Sequence, residues 1–330
     1  MAKHLTEKEN FLRTLRGETP EYVPTFKLAE WLLMPGALRP ERGEHGFISQ
    51  YGVEYVSERT ANDGALPKPG EFILDDIRKW RDVIKRPPIL DEIDWAKCAK
   101  KDLDERDPEL PKMCTCNIGF GYFQALMAFM GFTNGLIACI EEPEEVKELM
   151  RFLLSIHVEI GKNIIEYYDP DLYNMGDDIA HERSPFVSED VFLDIFEPIW
   201  RGEIAPFLEA GIPAEHHNCG KFEMFVPYMV DMGYVAWDPA QSSNDLIGIK
   251  KKYGPKLTLC TGLEGNGFCS WPETTQEQIR AEVRRVMDLY APGGGYCFSG
   301  RILGPVGDKE TEKRNEWIKD EYEKNKYKYY

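Results

Sequence analysis

The chain has no Cys-x-x-Cys pair anywhere in its 330 residues. That removes the tight ligand pairs of closed, four-ligand structural zinc sites. It also lacks any apolar run of about 18 residues, the length a membrane-crossing helix needs. Positive charge is scarce: 40 Lys and Arg stand against 57 Asp and Glu, a formal net charge of −17. So acidic a chain is a poor partner for nucleic acid or for an anionic membrane surface. The opening residues, Met1 to Asn10, contain no apolar stretch of the kind that makes a secretory signal, so a cytoplasmic protein is the expectation. A Gly-rich phosphate loop is missing after the first strand candidate, where Pro24 to Ala29 reads PTFKLA. That argues against a doubly wound nucleotide-binding sheet. Eight cysteines are too few for a disulfide scaffold and read as thiols or metal ligands.

Hydrophobic residues make up 42% of the chain, enough for a full core. Thr6 and Glu9 fit a capping box, and Phe11, Leu12 and Leu15 then share one helix face. Eight short apolar segments read as strands: Val23–Phe26, Glu54–Ser57, Met113–Cys116, Leu172–Gly176, Pro213–His217, Tyr234–Trp237, Lys256–Cys260 and Gly295–Phe298. Amphipathic helices fall between them, at Pro143–Tyr168, Ser188–Glu209, Phe222–Met232, Asn244–Tyr253 and Thr275–Tyr290. The alternation predicts one α/β domain over residues 1–330, a (β/α)8 TIM barrel with parallel strands. Residues from about 30 to 110 are richer in Pro and Gly than a plain barrel half and are expected to form insertions or a lid.

In such a barrel, chemistry sits at the C-terminal ends of the strands. His217 and Cys219 follow the fifth candidate strand, and Cys297 lies in the eighth. Two thiols and an imidazole make an open zinc site with a vacancy for chemistry. Residues two apart on a strand face the same way, so His217 and Cys219 pair while His216 points elsewhere. Asp177 and Asp178 end the fourth strand and read as acid/base or substrate-orienting groups, or as helix caps. Aromatic residues after the third strand, Phe120 and Tyr122 among them, and Trp31 after the first suit either core packing or the wall of a pocket for a ring-sized substrate. Glu264, after the seventh strand, is a further substrate-binding candidate.

Five stretches then carry a likeness to a known family: Asn174–Ile179, His217–Gly220, Met232–Asp238, Tyr253–Leu259 with Gly262–Glu264, and Gly293–Cys297. Together they resemble the uroporphyrinogen decarboxylase superfamily, and within it the cobamide-dependent methyltransferase branch. Decarboxylases proper carry an arginine-rich N-terminal segment, and the matching Pro24–Trp31 has none. The resemblance implies zinc held by His217, Cys219 and Cys297, with 77 residues between the two cysteines. Some ether-demethylating relatives are thought to use glutamates and a histidine, which makes Glu182 and Glu197 alternative ligands. It further implies an O-demethylase methyltransferase moving a methyl group from a methoxylated substrate to a corrinoid. No Asp-x-His-x-x-Gly run is present to hold the corrinoid, so a separate corrinoid protein is the expected partner. A homodimer is compatible with the sequence. Three other readings stay open: methylation of a thiol such as coenzyme M, a metal-free decarboxylase-like enzyme, and a non-catalytic binding barrel.

Overall fold

A computed structural model describes residues 4–58, 64–118, 121–265 and 267–330. Its centre is a seven-stranded parallel sheet in the order β1 (Leu32–Leu33), β5 (Met113–Cys114), β6 (Leu172–Gly176), β7 (Ala214–His217), β8 (Tyr234–Asp238), β9 (Thr258–Leu263) and β10 (Tyr296–Gly300). The remaining strands, β2 (Gly46–Ile48), β3 (Glu54–Glu58) and β4 (Gly64–Pro67), form a separate antiparallel sheet.

The expectation of eight barrel strands is met in part: among the described residues the central sheet has seven parallel strands. The Glu54–Ser57 segment belongs to the antiparallel sheet and pairs with no strand of the central one. Its alternating pattern specifies a strand but not a partner. The predicted first strand, Val23–Phe26, is an extended segment joined to β10 by one parallel bridge, Thr25 to Phe298. Two hydrogen bonds fix it, Phe26 N–H to Phe298 C=O at 2.7 Å and Phe298 N–H to Pro24 C=O at 2.8 Å. The opposite edge is β1, two residues long, closed off by Pro35 with its missing N–H.

The sheet has to curl. Laid flat, seven strands plus the Thr25 segment would span about 34 Å at roughly 4.8 Å per step. The chain from Thr25 to Leu32 reaches at most about 25 Å even if fully extended. It is shorter than that, because Leu28–Trp31 is helical. The two sheet edges are therefore drawn together.

Helices pack against the sheet with the expected periodicity. Pro143–Tyr168 buries Val146, Leu149, Leu153, Ile156, Ile160 and Ile164 along one stripe. Each such side chain contributes roughly 2 kcal/mol when fully buried. Thr275 caps Gln276–Tyr290 with a complete capping box, and Thr6 caps Glu7–Leu15 by accepting from the Glu9 N–H. A second apolar cluster gathers Phe11, Phe26, Trp31, Met113, Leu172, Cys260 and Cys297. Among the described residues no single helix is long and apolar enough to cross a membrane.

Candidate metal centre

Parallel strands bring their C-terminal ends to one side, and the register there sets Gly176 beside His217 and His217 beside Asp238. Asp178 follows β6 and Cys219 follows β7. The ligand atoms of Asp178, His217 and Cys219 all lie within 4.8 Å of one another. The His217 Nε2 to Cys219 Sγ distance is 3.9 Å. Asp178 is held by two donors: the Cys219 N–H gives to Oδ1 at 2.7 Å, and Gln124 Nε2 gives to Oδ2 at 3.2 Å.

His217 is oriented from behind. Its Nδ1 donates to Asp238 Oδ2 at 2.8 Å, so Nε2 faces the cluster. Carboxylate–imidazole pairs of this kind fix the tautomer and raise the basicity of metal-binding histidines. Asp238 is buried, 4% exposed. Burial pushes its carboxyl up, and the bond to His217 pulls back against that. Burial works against charge on His217, yet the bonds to Asp238 and Cys219 and the nearby carboxylates outweigh it and raise the imidazole well above its usual range. Burial also raises the Cys219 thiol, with His217 opposing.

A thiol, an imidazole and a carboxylate on one short loop pair fit a divalent metal of borderline softness such as zinc. The backbone supports the approach. Gly220 has φ +88°, and a Cβ there would stand 2.8 Å from the Ala180 carbonyl. Only glycine lets the loop after β7 pass so close to the loop after β6. Asp238→Asn is predicted to weaken metal binding about 10- to 100-fold with the fold intact. A competition titration against a chromophoric chelator checks this, and unchanged affinity would remove Asp238 from the centre.

The two adjacent aspartates play separate parts. Asp177 is fully buried and accepts from Phe123 N–H at 3.0 Å, Gln124 N–H at 3.1 Å and Trp200 Nε1 at 3.0 Å. It anchors the first turn of the Tyr122–Met130 helix. Burial lifts its carboxyl to about 7 against the pull of those donors.

Other predicted site residues lie apart from the cluster. Cys297 is fully buried in the second apolar cluster, beside Cys260, its register partner on β9. β10 runs on to Gly300, so Cys297 is the second of its five residues, below the end where ligands gather. Glu182 is exposed on the loop after β6. Glu197 pairs with Arg201 at 2.6 Å on an outer helix. Neither glutamate joins the metal-competent group. Trp31 is core, packed on Phe11 and Phe26. Tyr122 is fully buried with its hydroxyl on Glu203. Glu264 accepts from the Ser242 N–H and hydroxyl beside a small separate cavity. Phe120 lies outside the described residues.

The large cavity lies elsewhere than the aromatic residues after β5. About 800 Å³ in volume, it is lined by His217 and Asp238, by the Thr25–Glu30 segment, by Phe298 to Arg301, and by one face of the Lys309–Asn325 helix. Through His217, whose side chain is 26% exposed, it reaches the metal-competent group. Sequence reading assigned no role to Asp238 or to this helix. The available signals were a carboxylate closing the strand next to His217, and residues 315, 318, 319, 322, 323 and 326 at helical spacing.

Residues 83–300, more than half of the chain, match the uroporphyrinogen decarboxylase (URO-D) family model, and the chain belongs to that family. Among solved structures, a methyltransferase from Methanosarcina mazei shares the fold, with a TM-score of 0.65 at 14% identity. The match covers 97% of this chain and all of that one. No match was found among curated protein sequences.

Proposed function

We infer that the protein is a zinc-dependent methyltransferase that takes a methyl group from a small methoxylated substrate and delivers it to a corrinoid carried by a separate protein. The observation that carries this reading is the Asp178, His217 and Cys219 group opening, through His217, onto a cavity wide enough for a substituted ring. The family membership and the methyltransferase sharing its fold support the transferase class.

Zinc held by Asp178, His217 and Cys219 would supply a Lewis acid at the cavity wall. The residues themselves do the rest. Asp238 holds His217 so that Nε2 is presented to the centre. Gln124 and the Cys219 N–H hold Asp178, which is left to take the proton balance of the departing oxygen or to remain a ligand. Phe26, Leu28, Phe298 and Tyr322 give the cavity its apolar wall and exclude water from the ether. The methyl group leaves from the cavity side, where a docked partner can receive it.

Porphyrinogen decarboxylation is disfavoured by charge. The only basic residue in Pro24–Trp31 is Lys27, already paired with Glu7 at 3.1 Å. An octacarboxylate would meet too few cations there. The direct test mixes the zinc-loaded protein, a panel of methoxylated compounds and a corrinoid protein reduced to cobalt(I). Conversion to methyl-cobalt(III), matched by release of the demethylated product, is the expected result. Consumption of methyl-cobalt(III) by a free thiol, with every ether untouched, would replace this reading with thiol methylation.

A further inference from the structure

We propose that the small cavity beside Glu264 is a binding site for a small primary alkylammonium cation. It stands apart from the methyl-transfer reading, because none of its lining residues lines the larger cavity.

The cavity measures about 170 Å³ and lies between the end of β9, the loop that follows it and the Gln276–Tyr290 helix. A hollow of roughly 150 Å³ is enough for a molecule the size of benzene. The charged groups in its wall are Glu264, Glu282 and Arg285, so the acids outnumber the cations. Arg285 is engaged with Glu282: Nε and Nη2 donate to the two carboxylate oxygens, each at 2.7 Å. Glu264 is left with neutral donors. Its Oε1 accepts from the Ser242 N–H at 3.0 Å and from the Ser242 hydroxyl. Among the described residues no lysine, arginine or histidine pairs with Glu264, and its Oε2 accepts from no donor. Gly267 leaves the approach to that oxygen bare, since a Cβ there would lie 3.6 Å from it. A carboxylate without a counter-ion at the wall of a hollow draws a cation in.

The rest of the wall decides the kind of cation. Leu263, Val286 and Tyr290 are buried, and Phe268 borders the opening with its side chain 41% exposed. Hard divalent ions take six or more oxygen ligands, and a wall this apolar does not supply them. An alkylammonium uses both halves of the site. Its N–H groups match the Glu264 carboxylate and the hydroxyls of Thr261 and Tyr290. Its hydrocarbon tail covers Leu263 and Val286, and the rings of Phe268 and Tyr290 favour a cation beside them. A quaternary ammonium has no N–H to give to Glu264 and fits less well. An anion would meet the Glu264 carboxylate with no free cation to offset it.

The test is a ligand-observed NMR titration of the full chain with n-butylammonium and its neutral counterpart n-butanol, at constant ionic strength. The ammonium should bind on the order of 10-fold more tightly. Glu264→Gln keeps an oxygen for Ser242 to donate to, and it should abolish that preference while leaving butanol binding unchanged. Phe268→Ala, at an exposed loop position, should weaken both ligands. Equal binding of the two compounds, binding of neither, a preference that survives Glu264→Gln, or no effect of Phe268→Ala overturns the proposal. Displacement of butylammonium by potassium at equal concentration overturns the organic class. The same ammonium head can come from a free amine or from a lysine of a docked protein, and Nα-acetyl-lysine amide separates them. Binding as tight as that of butylammonium assigns the site to a lysine side chain, and exclusion assigns it to a free amine.

Discussion

Cys219→Ala is expected to retain about a tenth or less of the wild-type zinc, because two remaining protein ligands hold the ion too weakly. Cys297→Ala should keep the full complement. The contrast follows from position: Cys219 lies in the group with Asp178 and His217, whereas Cys297 is buried against Cys260. Elemental analysis after gel filtration decides it. Methyl transfer should fall with the metal in Cys219→Ala and stay within a few-fold in Cys297→Ala. Zinc loss in Cys297→Ala alone would restore the ligand set implied by family resemblance. Uptake should also release protons and strengthen as pH rises, since burial holds the Cys219 thiol above its ordinary range and a metal-binding thiol must give up its proton.

The second large effect is on stability. Glu203→Gln should destabilise the protein by roughly 1–3 kcal/mol near neutral pH, because an amide cannot accept from all the donors that the buried carboxylate serves. Glu203 is 1% exposed and accepts from His157 Nδ1 at 2.9 Å and from the hydroxyls of Tyr122 and Tyr173. Burial alone would raise its carboxyl, but His157 and the two hydroxyls win and hold it below its ordinary value of 4.5. A carboxyl whose folded value lies below its unfolded one stabilises the fold above the unfolded value. That contribution is lost as pH falls through the folded value. The gap between wild type and Glu203→Gln should therefore be full at pH 7 and shrink below about pH 4.5. Urea unfolding at a series of pH values measures it, and a gap that stayed constant across that range would refute the assignment.

What could be read in the sequence divides along physical lines. Pro143–Tyr168 and Leu172–Gly176 were legible to the residue, because long helical periodicity and a short apolar run bounded by Asp-Pro and Asp-Asp leave few alternatives. The Glu54–Ser57 segment was legible as a strand but not as a member of another sheet, since alternation fixes a face and not a neighbour. Leu32–Leu33 is too short to announce itself at all.

The site was legible to the same degree. His217 and Cys219 read as ligands, and Asp178 as an acid/base or orienting group, because each closes or follows a strand whose end the pattern locates well; that the three lie side by side is seen only in the structure. Cys297 was placed near the mouth by a boundary two residues short, and on a strand that error moves a side chain by about 7 Å along the axis. The cavity was missed because its walls come from distant parts of the chain, which no local pattern connects.

That last feature has a consequence for how the protein is made. The hydrogen bond from the Tyr322 hydroxyl to the Val23 carbonyl joins residues 299 positions apart, across the cavity wall. Asp178, His217 and Cys219 fall within a stretch of about forty residues in the middle of the chain. During synthesis the ligands emerge well before the Lys309–Asn325 helix does, and closing so long a loop comes late. On the reading proposed above, the three ligand groups are thus made before the wall that would hold a substrate, so that selectivity is the final property the molecule acquires.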